Sequence, residues 1–328
     1  MKNYDVYGLG NALVDIEFEV SPAVLQDCGI EKSVMTLIDS DRQEELVHRL
    51  QPYYRKRSCG GSAANTMIAI SQFGGKAFYS CKVAADETGD FYLADLQNCG
   101  VDSNPHKDSS QSQVTGKCLV FITPDADRTM NTFLGITADF SEAELIPEAI
   151  VEASYTYIEG YLVTSPTGLK AAVKAREIAQ NAGKKVSLSL SDPNMARFFK
   201  PGLLEIVGTG VDLIFANESE ALDLAGSEDL KDAIAYLQTL SKAFAITRGA
   251  QGSLVYDGES FLNIDPVLVK AIDTVGAGDM YAGAFLYGLT HGLSYESAGL
   301  LASRASAQIV TELGPRLSTA TVQTLLVS

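Results

Sequence analysis

Short β-rich segments recur along the chain at residues 5–9, 155–159, 186–190, 212–216, 243–247 and 267–272, and helical patterns such as 167–182 and 229–240 separate several of them. A helix between two strands carries the chain back to the end where it started, so the next strand lies parallel to the last. The alternation therefore predicts an α/β fold, with a mainly parallel central sheet and helices on both of its faces. In such sheets ligands bind beyond the carboxyl ends of the strands.

One stretch breaks the pattern. Residues 117–123, a Pro124-Asp125-Ala126-Asp127 turn and residues 128–134 read as a β-hairpin. With residues 16–58 it is expected to form a small β-rich lid (16–58 and 113–135) inserted into a large domain (1–15, 59–112 and 136–328); an ordinary edge hairpin is the alternative. At 328 residues the chain is long enough to bury a large core.

The formal charge of -16 argues against a nucleic-acid partner, because a polyphosphate needs a basic face. A small anion is still compatible, since a few aimed backbone N–H groups can hold phosphate in an acidic protein. The five cysteines are widely spaced without a C-x-x-C pair, so they read as reduced thiols rather than a disulfide framework or zinc knuckle. No run of about 18 apolar residues suggests a membrane span, and the expected location is the cytoplasm. His48, His106 and His291 are scattered and adjoin no acidic motif.

The chemistry concentrates at Asp273-Thr274-Val275-Gly276-Ala277-Gly278-Asp279, where a small-residue loop opens into an apolar helix. Without side chains at Gly276 and Gly278 the backbone can approach a ligand closely, and the free N–H groups of the helix's first turn form an anion hole over Gly276-Ala277-Gly278. Asp279 can accept the proton of an attacking hydroxyl, the general-base task of phosphoryl transfer. The bland alternative is a helix cap.

This string resembles the C-terminal signature of the ribokinase-like, or PfkB, family of carbohydrate and nucleoside kinases. The family's glycine-rich N-terminal signature resembles Gly60-Gly61-Ser62-Ala63-Ala64-Asn65. Its Asn-x-x-Glu element resembles Asn217-Glu218-Ser219-Glu220, and its nucleotide loop resembles Thr247-Arg248-Gly249, followed by Gly252. The resemblance spans nearly the whole chain and implies a ribokinase-like fold with ATP and Mg²⁺ as cofactors; no membrane partner is expected, and the chain is expected to be a monomer or homodimer, a choice its sequence does not fix. It makes Gly60, Gly61, Ser62 and Asn65 substrate ligands and Asn217, Thr247, Gly249 and Gly252 ATP ligands. Glu220 holds Mg²⁺ through water, as that ion prefers, and Asp273 lies near a monovalent-cation (K⁺) site in members that have one. Alone, Asn217 and Glu220 would read as a helix cap. Tyr281 stands where the family commonly has Phe.

The opening Gly8-Leu9-Gly10-Asn11-Ala12-Leu13-Val14-Asp15 resembles the adenosine-kinase branch, which makes Asn11 and Asp15 candidate ribose ligands. The same comparison puts Arg128 over the phosphates, and strand alternation puts Met130, Thr132 and Leu134 on its face, where they can line a flat base. Asp192-Pro193-Asn194 points the other way: adenosine kinases usually present an aromatic residue there, and the segment looks like that of sugar kinases. The expected substrate is a ribonucleoside such as adenosine, with a free sugar (fructose, ribose or a related one) as the alternative. A non-catalytic nucleoside or sugar sensor is the reading from a different class. A dinucleotide fingerprint fails at Leu13, and a P-loop fails at Ile70 and Ala77 around Gly75-Lys76.

Overall fold

The computed structural model describes residues 3–32, 35–104, 113–124 and 128–326, leaving out the side chain of Arg128. Its strands are β1 (Tyr4–Leu9), β2 (Leu13–Glu19), β3 (Met35–Leu37), β4 (Tyr54–Gly60), β5 (Ala77–Ser80), β6 (Asp102–Ser103), β7 (Gly116–Ile122), β8 (Arg128–Phe133), β9 (Ala153–Glu159), β10 (Lys185–Ser189), β11 (Val211–Asn217), β12 (Ser241–Thr247), β13 (Ser253–Tyr256) and β14 (Phe261–Ile264). Nine of them form one sheet in the order β14-β13-β12-β11-β10-β9-β1-β5-β6, parallel except for β13 and β14, which pair antiparallel at one edge.

Burial on both faces explains why the central strands read as continuous apolar runs. In β12, Ala243 and Ala245 pack with Met67 and Phe285 on one side, and Phe244 and Ile246 pack with Ala233 and Leu237 on the other. Helices Ser62–Gln72, Ala277–Thr290 and Tyr295–Ile309 cover the first face; Pro166–Asn181 and Leu230–Leu240 cover the second. The predicted helix boundaries rest on local caps. Ser165 accepts from the Gly168 amide ahead of Pro166, and Asp229 accepts from the Lys231 amide. Among the described residues no helix is long and apolar enough to cross a membrane.

The expected hairpin is present as β7 and β8, although residues 125–127 of its turn lie outside the described residues. It belongs to a second, five-stranded sheet in the order β3-β8-β7-β2-β4. One face of this sheet packs Phe18, Leu119 and Phe121 against Leu46 and Leu50 of helix Ser40–Leu50. The other presents Cys118, Val120, Ile122 and Met130. Register puts Asp15 of β2 opposite Cys118 of β7, so the carboxylate shares this second face.

One expected strand is absent. Residues 267–272 form no strand; Val267, Val269 and Ile272 are exposed, and Leu268 is 82 % exposed. Their β-branched composition suits a strand, but β14 already fills the sheet edge, and Pro266 just before them lacks a ladder donor. The helix carrying Asp279 is therefore entered from a loop rather than from a strand.

Candidate active site

Because the central strands are parallel, the residues that follow them gather along one edge of the sheet: Asn11 after β1, Glu159 ending β9, Asp192 after β10, Asn217 ending β11 and Thr247 ending β12. Asp279 joins them from helix Ala277–Thr290, in its first turn. Its Oδ1 accepts from Ser62 Oγ at 2.6 Å and its Oδ2 from Asn65 Nδ2 at 3.2 Å. Burial pushes its carboxyl up to about 6, against the lowering effect of those two hydrogen bonds and of the Arg316 charge. The carboxyl therefore changes its charge within the range of mildly acid to neutral pH.

Gly276 opens the helix with φ 76°, a left-handed conformation. A Cβ there would lie 2.7 Å from Pro315 Cα and O, so glycine is required sterically as well. The Ala277 amide already donates to Thr274 O at 3.2 Å. The amides of Gly276, Gly278 and Asp279, by contrast, are helix-start donors without an intrahelical acceptor. Ala277 and Gly278 line a hollow of about 300 Å³ whose far walls include Thr247, Gly249, Gly252, Val267, Leu268 and Tyr281. Segment 267–272, expected as a strand, is one wall of this hollow. Tyr281, where a Phe was the expected pattern, directs its hydroxyl to Ser253 Oγ at 2.7 Å and stacks on Phe285.

The Asp279 carboxylate is bonded to the start of the glycine-rich helix through Ser62 and Asn65. Gly61, with φ 96°, caps helix Ser62–Gln72, and a Cβ at this position would run into the Asn11 carbonyl. Across the β2–β4 pair, a Cβ on Gly60 would meet the Asp15 carboxylate, so Gly60 and Asp15 are in close apposition. Asn11 is buried: its Nδ2 donates to Glu159 Oε1 at 3.2 Å and its Oδ1 accepts from Thr137 Oγ1 at 3.4 Å. Asn65 links outward as well, its Oδ1 accepting from Arg316 Nε at 3.1 Å.

Asn217 and Glu220 form a capping box on helix Glu218–Ala225, with Glu220 Oε1 accepting from Asn217 Nδ2 at 2.7 Å and Oε2 from its amide at 2.9 Å. Burial, and then the negative charges of Asp192 and Asp279, push Glu220 up to about 7 against the Asn217 amide bond. Such crowding of acids is what a cation relieves, and each oxygen keeps a lone pair for a metal-bound water. Among the described residues no group of three or more His, Cys, Asp or Glu is arranged to hold a metal directly. The donor set therefore fits Mg²⁺ held through water and phosphate oxygens. Asp273, 5 % exposed, accepts from the Val275 amide at 3.1 Å and from the Gly314 amide at 2.7 Å, tying the glycine loop to the chain before Arg316.

Of the small-sheet candidates, Met130 packs on the apolar face beside Thr132, whose hydroxyl bonds Cys118 Sγ. Leu134 follows β8 and begins a short 3₁₀ turn, so it lies beyond the alternation. Arg128 opens β8 opposite Ile122, and its side chain lies outside the described residues.

Two residues were not anticipated. Glu159, 1 % exposed, accepts from the amides of Ala63 and Asn11 and from Asn11 Nδ2, which fixes the β1–β2 loop to the glycine-rich helix start. Burial raises its carboxyl to about 7 against those backbone bonds. A Cβ on Gly10 would collide with this carboxylate. Its only sequence signal is an acid closing a buried apolar run. Arg316, reaching Asn65 across 251 residues of sequence, carries no local signal at all.

Residues 33–322 match the family model described as pfkB family carbohydrate kinase. The chain is 28 % identical to adenosine kinase from Saccharomyces cerevisiae over 94 % of its own length and 95 % of the yeast protein. It is 30 % identical to fructokinase-1 from Zea mays over 69 % of its length and 72 % of the maize protein. The crystal structure of adenosine kinase from Sinorhizobium meliloti superposes with a TM-score of 0.88 at 34 % identity, covering 99 % of this chain and all of that one.

Proposed function

Because this chain belongs to the PfkB family of carbohydrate kinases and is a phosphotransferase with an alcohol acceptor, we propose that it moves the γ-phosphoryl group of ATP to the 5′-hydroxyl of a ribonucleoside, adenosine above all. The observation that carries the reading is the position of Asp279. Its carboxylate is held by Ser62 and Asn65, and the two residues just before it, Ala277 and Gly278, line the hollow beside the glycine bend.

ATP occupies the hollow along Thr247, Gly249 and Gly252, with its terminal phosphate at the amides of Gly278 and Asp279. The acceptor hydroxyl gives its proton to Asp279 as its oxygen bonds phosphorus, the bond from phosphorus to the bridging oxygen breaks, and ADP leaves. Asn217 and Glu220 are the residues that would hold Mg²⁺, and the bound ion would neutralise phosphate charge. Asp273 sets the loop and is the group beside which K⁺ would act. The small sheet, with Arg128 at its hairpin, serves as the lid over the acceptor side.

The small-sheet face favours a nucleoside over a free sugar. Asp15 pairs with Cys118, and the apolar pair Val120 and Met130 lies two residues further along the strands, about 7 Å away at ~3.3 Å per residue. That spacing suits a ribose at Asp15 with a flat base over Val120 and Met130. The sugar reading has Asp192-Pro193-Asn194 in its favour, where Asp192 accepts from the Asn194 amide at 2.7 Å and no ring is offered to a base. ATP consumption measured over a panel of nucleosides and sugars tests both. Turnover with adenosine supports the proposal; turnover with fructose or ribose alone would replace it, and tight binding without turnover would mark a sensor.

A further inference from the structure

We propose that Cys59 and Cys99 are a redox-modifiable thiol pair, which a hydroperoxide closes to a disulfide and which controls how Arg316 holds Asn65. Cys59 begins the buried end of β4, immediately before Gly60-Gly61, and Cys99 caps helix Glu87–Asn98. Both sulfurs converge on one guanidinium: Arg316 Nη2 donates to Cys59 Sγ at 3.0 Å and Nη1 lies 3.9 Å from Cys99 Sγ. The same Arg316 donates to Asp95 Oδ2 at 3.3 Å, and that oxygen also accepts the Cys59 amide at 2.7 Å. Asp95 and Cys99, four residues apart, lie on one face of the helix, which keeps both sulfurs within a single cluster.

The two members have unequal roles. Cys59 is fully buried and Cys99 is partly exposed, so a small oxidant reaches Cys99 first. The interaction with Cys59, and then the Arg316 charge, hold the Cys99 thiol below the ordinary thiol range against its burial, which favours its thiolate. Cys28, Cys81 and Cys118 are buried, and burial pushes Cys81 up.

The Cys99 thiolate attacks the terminal peroxide oxygen. An S–O bond forms, the O–O bond breaks, and the leaving oxygen takes a proton to give an alcohol, or water from hydrogen peroxide. Cys59 then attacks the Cys99 sulfur; the S–S bond forms and hydroxide leaves as water with the Cys59 proton. Two thiols are oxidised and one peroxide is reduced.

Closure replaces a thiolate and a thiol with a disulfide, which is a poorer acceptor for Arg316. The path from there to the site is short: Arg316 Nε holds Asn65 Oδ1, and Asn65 Nδ2 holds Asp279 Oδ2. Only this consequence for turnover rests on the kinase reading; the modification itself does not. Losing one charge-assisted hydrogen bond to a substrate-binding side chain lowers kcat/KM about tenfold or more.

The test treats the full, reduced chain with a few equivalents of hydrogen peroxide, blocks residual thiols and maps the peptides by mass. The expected result is a Cys59–Cys99 linkage, two hydrogens lighter, that dithiothreitol reverses together with the lost turnover. Turnover of the Cys99→Ser variant should be insensitive to peroxide, whatever its starting rate. Recovery of Cys59 as a free thiol beside over-oxidised Cys99, or a linkage through other cysteines, would overturn the proposal. So would a Cys59–Cys99 linkage that leaves turnover unchanged. Turnover of the reduced parent is read first, so a failure of the kinase reading is seen separately from the mass result.

Discussion

Replacing Asp279 by Asn should abolish most turnover while making the protein more stable, and the two effects have one cause. Burial raises this carboxyl from its ordinary 3.8 to about 6, so the folded chain disfavours the charge that the reaction needs. Two pK units correspond to about 3 kcal/mol, and the residue's partial exposure reduces that to about 1–2 kcal/mol. The amide can keep both neighbours: its oxygen accepts from Asn65 Nδ2, and its NH₂ donates to Ser62 Oγ, since a serine hydroxyl works either way. A folded pKa above the unfolded one means the parent loses stability as pH rises from about 4 to 6. The gain in the Asp279→Asn variant is therefore absent below about pH 4 and complete above about pH 6. Thermal unfolding at about pH 4, 6 and 8 should show the melting temperature rising by a few degrees only at the upper values. Turnover should fall on the order of 10²-fold or more, and the parent's acid limb near pH 6 should disappear from the residual rate. Turnover of the Asp279→Asn variant within about tenfold of the parent would refute the base assignment. A stability gain equal at the lowest and highest of those pH values would refute the burial argument.

Other substitutions probe the surrounding supports. Glu159→Gln turns an NH₂ group toward the Ala63 amide or Asn11, a buried donor–donor conflict of about 1–3 kcal/mol; acceptor KM should rise about tenfold with a smaller change in kcat, measured by steady-state kinetics. Gly276→Ala adds about 1–2 kcal/mol of left-handed strain to the overlap with Pro315, so both melting temperature and kcat should fall. Met130→Ala should raise KM for adenosine by several-fold, the effect of about 1 kcal/mol of lost apolar contact, while leaving KM for ribose unchanged; equal effects on both would argue against a base over this face.

The large sheet was legible because its central strands are buried on both sides, which writes a short apolar run with a polar residue at its end. Resemblance to the family's motifs marked Asn217 and Thr247 at the ends of such runs, and the small-residue string marked Asp279. The edges were not legible. β5, β6, β13 and β14 have two to four residues each, too few to show a period, whereas residues 267–272 show strand composition and join no sheet. The contacts that tune the site are also non-local: Ser62 and Asp279 meet across 217 residues. What brings them together is the packing of helix Ser62–Gln72 against helix Ala277–Thr290. A Cβ on Gly283, one turn beyond Asp279, would sit 2.6 Å from Ala69 Cβ and 2.9 Å from Thr66 O, so the two backbones approach as closely as a glycine allows. In a sequence, Gly283 reads as a weak point in a helix. In the fold it lets Ser62 and Asn65 reach the acid, and the acid's protonation follows from that approach.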